Sequence, residues 1–278
     1  MISVAANIRT SFAVEFEKLR RRPASWVLLG ILTAFIILIR YAAGYALVTS
    51  SPMGGSQMAE FVLPAGMPSA VLSVIPQVGA ALAIVLGAMV MGSEYRWDTV
   101  KASVVRKPGR LGFVAGKILA LCAAAATLAL AALITGLVCS LVVAAILGTG
   151  LQTPPPAEAA AAFGAAWLIM AAYAALGLFF GVLVKGAGAA IALGLIYVLI
   201  LESFISGVAG QLPGGQSVSA VLPGGAAGNL TSAIGQSGMT PPASGMLSSP
   251  TAALLILAAW VILLGVASIL LFTRRDSP

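Results

Sequence analysis

Residues 113–148 read FVAGKILALCAAAATLALAALITGLVCSLVVAAILG, an apolar run whose only charge is Lys117. Wound into one helix it is about 54 Å long, well beyond the ~30 Å hydrocarbon core of a bilayer. Such a helix must tilt, break or protrude, and Gly136 is a candidate weak point in it. Five further segments, Ala24–Val48, Ser69–Gly92, Ala157–Val184, Ala187–Gly207 and Thr251–Phe272, each approach or exceed the ~20 apolar residues that a span requires. The predicted fold is an all-α integral membrane protein, a single transmembrane domain over residues 1–278 with six transmembrane helices. Its spans are 24–48, 69–92, 113–148, 157–184, 187–207 and 251–272.

Composition agrees. The 278 residues are 60% hydrophobic and 8% charged, with a net charge of +7. A soluble domain carries roughly 25% charged residues, so a soluble enzyme is excluded. There is no histidine, which removes the usual general base and the commonest metal ligand. Cys122 and Cys139, if helical, lie about 25 Å apart along the axis, out of disulfide reach.

Helix punctuation supports the spans. Ser249-Pro250 reads as an N-cap followed by proline in the first turn, and Pro154-Pro155-Pro156 with Glu158 opens the fourth span in the same way. Pro76 inside the second span predicts a kink. Orientation follows from the basic residues. Arg9, Lys18, Arg20, Arg21 and Arg22 precede span one; Arg96, Lys101, Arg106, Lys107, Arg110 and Lys117 surround the loop between spans two and three. Lys185 lies between spans four and five, and Arg274 and Arg275 follow span six. Only Arg40 falls elsewhere, so by the positive-inside rule both termini are cytoplasmic. Glu15, Glu17 and the Arg20-Arg21-Arg22-Pro23 block argue against a cleaved signal peptide, leaving span one as a retained anchor.

Residues 1–23 place Ile8, Phe12, Phe16 and Leu19 on one helical face, with Arg9, Glu15, Glu17, Lys18 and Arg20 around the rest. This predicts an amphipathic interfacial helix, acting as a plain anchor or as an elbow that transmits movement to span one. The cytoplasmic loop 93–112 carries Glu94, Tyr95, Arg96, Trp97, Asp98, Thr99 and Lys101, with Trp97, Val100 and Val104 at helical spacing and Pro108-Gly109 as a stop. Charge interleaved with aromatics suits a protein docking surface; aromatics at the lipid headgroups are the other reading. No phosphate loop is present. Gly112-Phe113-Val114-Ala115-Gly116-Lys117-Ile118 is too short between its glycines and lacks Ser or Thr after the lysine.

The run from Glu94 to Lys117 resembles the first cytoplasmic loop of type-2 ABC exporter permeases. The matching positions are Glu94, Asp98-Thr99, Val104-Val105, Pro108-Gly109-Arg110 and Lys117, with Asp98 in place of the usual glycine. Glu17-Lys18-Leu19-Arg20-Arg21-Arg22-Pro23 followed by Trp26 is similar to the N-terminal segment of these subunits. The resemblance implies a permease subunit that performs no hydrolysis and has no cofactor of its own. ATP and magnesium would be bound by two separate ATPase subunits, which receive a coupling helix over 94–105. It further implies a second permease copy or homologue, a place in the bacterial inner (plasma) membrane, and short re-entrant helices before the last span.

The outer connection 208–250 is free of charge and rich in Gly, Pro and Ser. It is expected to lie on or dip into the outer membrane face in broken pieces, a disordered linker being the alternative. Arg40 and Glu202 fall in outer halves of their spans, where they snorkel to headgroups, meet each other, or line an outer gate or path. Gly177-Leu178-Phe179-Phe180-Gly181 is a GxxxG pattern suited to close helix packing. An apolar interior suits a hydrophobic or amphipathic cargo such as a lipid, peptide or drug, and nothing suggests nucleic acid as a partner. Two other functions fit a chain of this class: a self-contained secondary transporter, which predicts two similar halves, and a membrane assembly factor without transport.

Overall fold

The computed structural model describes residues 2–50, 61–96, 109–149, 152–209, 211, 215–234 and 249–275. Every regular element among the described residues is helical, and six helices are long and apolar enough to cross a membrane. The chain is a multi-pass membrane protein. Helix α1 (Ile2–Arg21) precedes the first long helix, α2 (Pro23–Ser50). There follow α3 (Pro64–Tyr95), α4 (Gly109–Leu147), α5 (Pro156–Val184) and α6 (Ala187–Ala209). Two short helices, α7 (Gly215–Val221) and α8 (Pro223–Ile234), stand before α9 (Pro250–Arg275).

Helices α3 and α5 form the centre. They are apolar on all sides and buried along most of their length, as expected of a helix surrounded by other helices. The outer helices keep exposed apolar faces, for example Leu38 on α2, Ile200 on α6 and Leu255 on α9. The central pair is close because glycine faces main chain on both sides. A Cβ on Gly87 would enter the backbone at Ala174 and Leu178, and one on Gly177 would enter the backbone at Ile84. The GxxxG pattern therefore serves packing within the chain, backbone against backbone.

The α3 helix is disrupted around Pro76, where a kink is expected. The helical hydrogen bonding of α3 is interrupted at Ser73–Val74 and resumes as a π turn over Ile75–Gly79, in which the Gly79 N–H reaches the Val74 carbonyl. Pro76 has no N–H to continue the α-helical ladder, which is the physical cause. This second span also begins earlier than its apolar run suggests, at Pro64. Two further π turns lie in α2 (Ile36–Ala42) and α6 (Tyr197–Leu201).

Of the alternatives for the long third span, a break at Gly136 does not occur. Helix α4 continues through it for 39 residues, and Gly136 instead faces Val71 and Met67 of α3 and the Tyr41 hydroxyl of α2. Excess length is accommodated at the other end, where α1 lies along the first turns of α4. Gly116 admits the Ser11 and Phe12 backbone there. From Lys117 onward about 45 Å of helix remain, close to the thickness of a bilayer with its headgroups.

Candidate functional site

Four charged side chains close a ring where α1, α3 and α4 meet. Lys117 Nζ donates to Glu15 Oε2 at 2.8 Å and to Glu94 Oε1 at 3.1 Å. Lys18 Nζ donates to Glu15 Oε1 at 2.8 Å and to the same Glu94 oxygen at 3.1 Å. Two lysines and two glutamates alternate, so the ring is neutral. Lys117 has 0% of its surface exposed, Glu94 4% and Glu15 5%. Buried charges persist only when paired and hydrogen-bonded, and here the long stem of Lys117 also lies under the Phe113 ring, with Nζ 4.5 Å from its centroid. Phe272 at the end of α9 stacks on Phe113 at 5.7 Å and closes that side.

Helix geometry explains how the ring assembles. Glu15 is three residues from Phe12 and four from Leu19, so it shares their packed face. The sequence reading set Glu15 and Lys18 off the apolar face of this helix; in the structure Glu15 is buried and Lys18 half-buried. Phe12 and Phe16 stack on each other at 5.8 Å and lie against the core. Burial by itself would lower the affinity of the Lys18 ammonium for its proton, but the neighbouring Glu15 and Glu94 carboxylates outweigh it and hold Lys18 above the ordinary lysine value of 10.5. On the exposed side of α1, Arg21 donates to Glu17 at 2.6 Å and draws its carboxyl below the usual range.

Other contacts grip the same end of α3. Arg22 donates to the Ser93 hydroxyl at 3.1 Å and to the Met89 carbonyl at 3.4 Å. Tyr95 points the other way, with Lys185 Nζ 5.7 Å from its ring centroid. Lys185 is held in place because it ends α5 in the left-handed conformation (φ 56°, ψ 28°) before the short turn into α6. Glu94, Tyr95 and Ser93 are thus tied to α4, to the α5–α6 turn and to the start of α2. The basic residues Lys18, Arg22, Lys117 and Lys185 gather at one end of the bundle.

The helix runs one residue beyond the apolar span of α3, to Arg96; the side chain of Arg96, and the whole of Trp97, Asp98, Thr99 and Lys101, lie outside the described residues. Arg20 is exposed, and its carbonyl accepts the Trp26 indole N–H at 2.8 Å.

Arg40 and Glu202 do not form an ion pair with each other among the described residues. Arg40 stands over the Phe61 ring at 5.5 Å. Glu202 does not snorkel: it is buried, accepting the Tyr173 hydroxyl at 2.6 Å and the Gly224 N–H. It therefore fastens α8 to the α5–α6 pair, a role invisible without the tertiary contact. Beside it, the π turns of α3 and α6 leave a cavity of about 420 Å³ lined by Gln77, Val78, Val198, Leu199 and Ser203, among others.

The family described as "Protein of unknown function (DUF2705)" matches residues 26–277. The chain belongs to the DUF2705 family. The match takes in Glu94, Lys117, Lys185 and Glu202, whereas Glu15 and Lys18 on α1 precede it. No curated protein matches this DUF2705 chain. Sequence reasoning singled out Glu94 and Lys18 but missed Glu15, Lys117 and Tyr173 as site residues. Two signals were legible: an acid on the apolar face of an amphipathic helix, and a single lysine in the apolar run of 113–148. Tyr173 gave none, because its partner lies 29 residues away.

Proposed function

We propose that this chain is the permease subunit of an ATP-driven exporter of the type-2 ABC class, with the basic end of the bundle in the cytoplasm of a bacterial cell and the chain resident in its inner membrane. The observation that carries the reading is the buried ring of Glu15, Lys18, Glu94 and Lys117, because it joins the two ends of the loop that resembles a coupling element. Glu94 stands three residues before 97–108 and Lys117 two turns into the helix that follows them, and both are tied to α1. A push on that loop is thereby delivered to α1, α3 and α4 together. Rigid transmission of this kind is what an element docked on a separate ATPase requires, since ligand-driven work depends on contacts that differ between two states.

In this reading two ATPase subunits bind ATP and magnesium and close on each other, and the loop carries the motion into the spans. The cavity between the π turns of α3 and α6 lies on the path of a hydrophobic or amphipathic cargo, with a second permease copy completing the passage. α7 and α8, with α8 fastened by Glu202, form the outer gate; residues 235–248 of the 208–250 segment lie outside the described residues.

The test is association. The adjacent reading frame should encode an ATPase with a phosphate-binding loop; co-expressed with it, the chain should co-purify with that subunit, and Trp97→Ala combined with Lys101→Glu should abolish the complex while leaving the permease folded. Retained association and ATP-driven export in that variant, or transport by the purified chain alone in liposomes, would overturn the assignment.

A further inference from the structure

Between α1, α2, α3 and α4, at the basic end, lies a second cavity of about 280 Å³. Its walls are apolar: Phe16 and Leu19 from α1, Leu28 and Leu29 from α2, Leu86 from α3 and Leu128 from α4. Leu19, Leu28, Leu86 and Leu128 are buried, whereas Arg20 and Trp26, which also line the cavity, are exposed and so form its mouth. We propose that this crevice binds one acyl chain of an anionic glycerophospholipid, with the headgroup phosphate held by Arg20.

The charges around the mouth select the occupant. In the basic run of α1 and its end, Lys18 is taken by Glu15 and Glu94, Arg21 by Glu17, and Arg22 by Ser93 and Met89. The Arg20 guanidinium makes no ion pair among the described residues, and it stands at the rim of an apolar slot. An arginine fork is matched to phosphate oxygens, and a tryptophan beside it is the side chain favoured at the headgroup level. The crevice is also open to the right solvent. On α4, Leu130 and Ile134 are exposed and continue the lining face from Thr127 at i+3 and i+7 spacing, so a lipid enters sideways from the hydrocarbon.

The lining follows one face of α4. Ala124, Thr127 and Leu128 line the slot at i, i+3 and i+4 spacing, one face of α4. Leu128 stands about 16 Å along the axis from Lys117, which lies at the charged end. A free phosphate would satisfy Arg20 and leave the leucine walls empty, whereas a lipid occupies both.

The experiment uses the full chain in phosphatidylcholine nanodiscs containing either dibrominated phosphatidylglycerol or dibrominated phosphatidylcholine at equal mole fraction. Bromine quenches tryptophan on contact, and the Trp26 signal is the difference between the natural chain and Trp26→Phe. The expected result is preferential quenching by the phosphatidylglycerol of about fivefold, the bias of one arginine near an anionic headgroup. Arg20→Gln, a surface change that leaves the core intact, should equalise the two lipids. Ala124→Leu, which fills the slot, should reduce quenching by both. Equal quenching by the two lipids in the natural chain, or a preference that survives Arg20→Gln, overturns the proposal. No partner subunit takes part, so this failure would leave the permease reading untouched.

Discussion

Lys117→Met is the sharpest test of the charged ring. The natural ammonium has no exposed surface and donates to Glu15 at 2.8 Å and Glu94 at 3.1 Å. Methionine fills much of the same volume beside Phe113 but leaves two almost fully buried carboxylates facing each other, with only the half-buried Lys18 to offset them. Removing one partner from a buried ion pair costs about 3–5 kcal/mol, against a total stability that is commonly about 5–15 kcal/mol. For a chain of this size that corresponds to a fall in melting temperature on the order of 10 °C. The assay is intrinsic-fluorescence or light-scattering melting in one detergent at fixed lipid content. Charge balance supplies the control. Glu15→Gln with Lys117→Met restores a neutral ring, so the double variant should melt well above the Lys117→Met single. The coupling between the two sites should be of the order of 0.5–3 kcal/mol. A Lys117→Met chain that melts within measurement error of the natural one would refute the reasoning, because it would mean that no buried carboxylate depends on this ammonium.

Two further outcomes are expected. Lys18 has its proton affinity raised by folding, so its contribution to stability is complete below pH 10.5 and is lost as the pH rises through the folded value. The melting difference between the natural chain and Lys18→Met should therefore be constant at neutral pH and shrink above pH 10.5; a difference that grows above pH 10.5 would contradict the sign. At the other end of the bundle, Glu202→Leu strands the Tyr173 hydroxyl and the Gly224 N–H in the interior, each worth about 1–3 kcal/mol when buried without a partner. α8 should then loosen, and limited proteolysis between residues 208 and 250 should accelerate severalfold, whereas Glu202→Gln, which keeps an acceptor, should be much milder.

The spans were legible because their signal is local. A run such as 113–148 must be sequestered from water whatever its neighbours do, and Pro76 must interrupt its helix wherever it is packed, since the missing N–H belongs to the residue itself. The basic residues around Lys18, Lys117 and Lys185 were likewise readable as one end of a bundle. Gly136 shows the limit. A glycine weakens an isolated helix, but here a close approach of α3 and α2 makes its missing side chain an asset, and that choice depends on partners far away in the chain. Glu202 was read in isolation as a group seeking water, and it found Tyr173 and Gly224 instead.

Composition and periodicity alone determined that this is a helical membrane protein, which segments are long and apolar enough to cross a bilayer and where the positive charge gathers, because transfer of apolar side chains and backbone to lipid is decided residue by residue. Tertiary structure decided which charges meet. Glu15, Glu94 and Lys117 are separated by up to 102 residues, and their pairing exists only once three helices bring them within hydrogen-bond reach and exclude water from the ring.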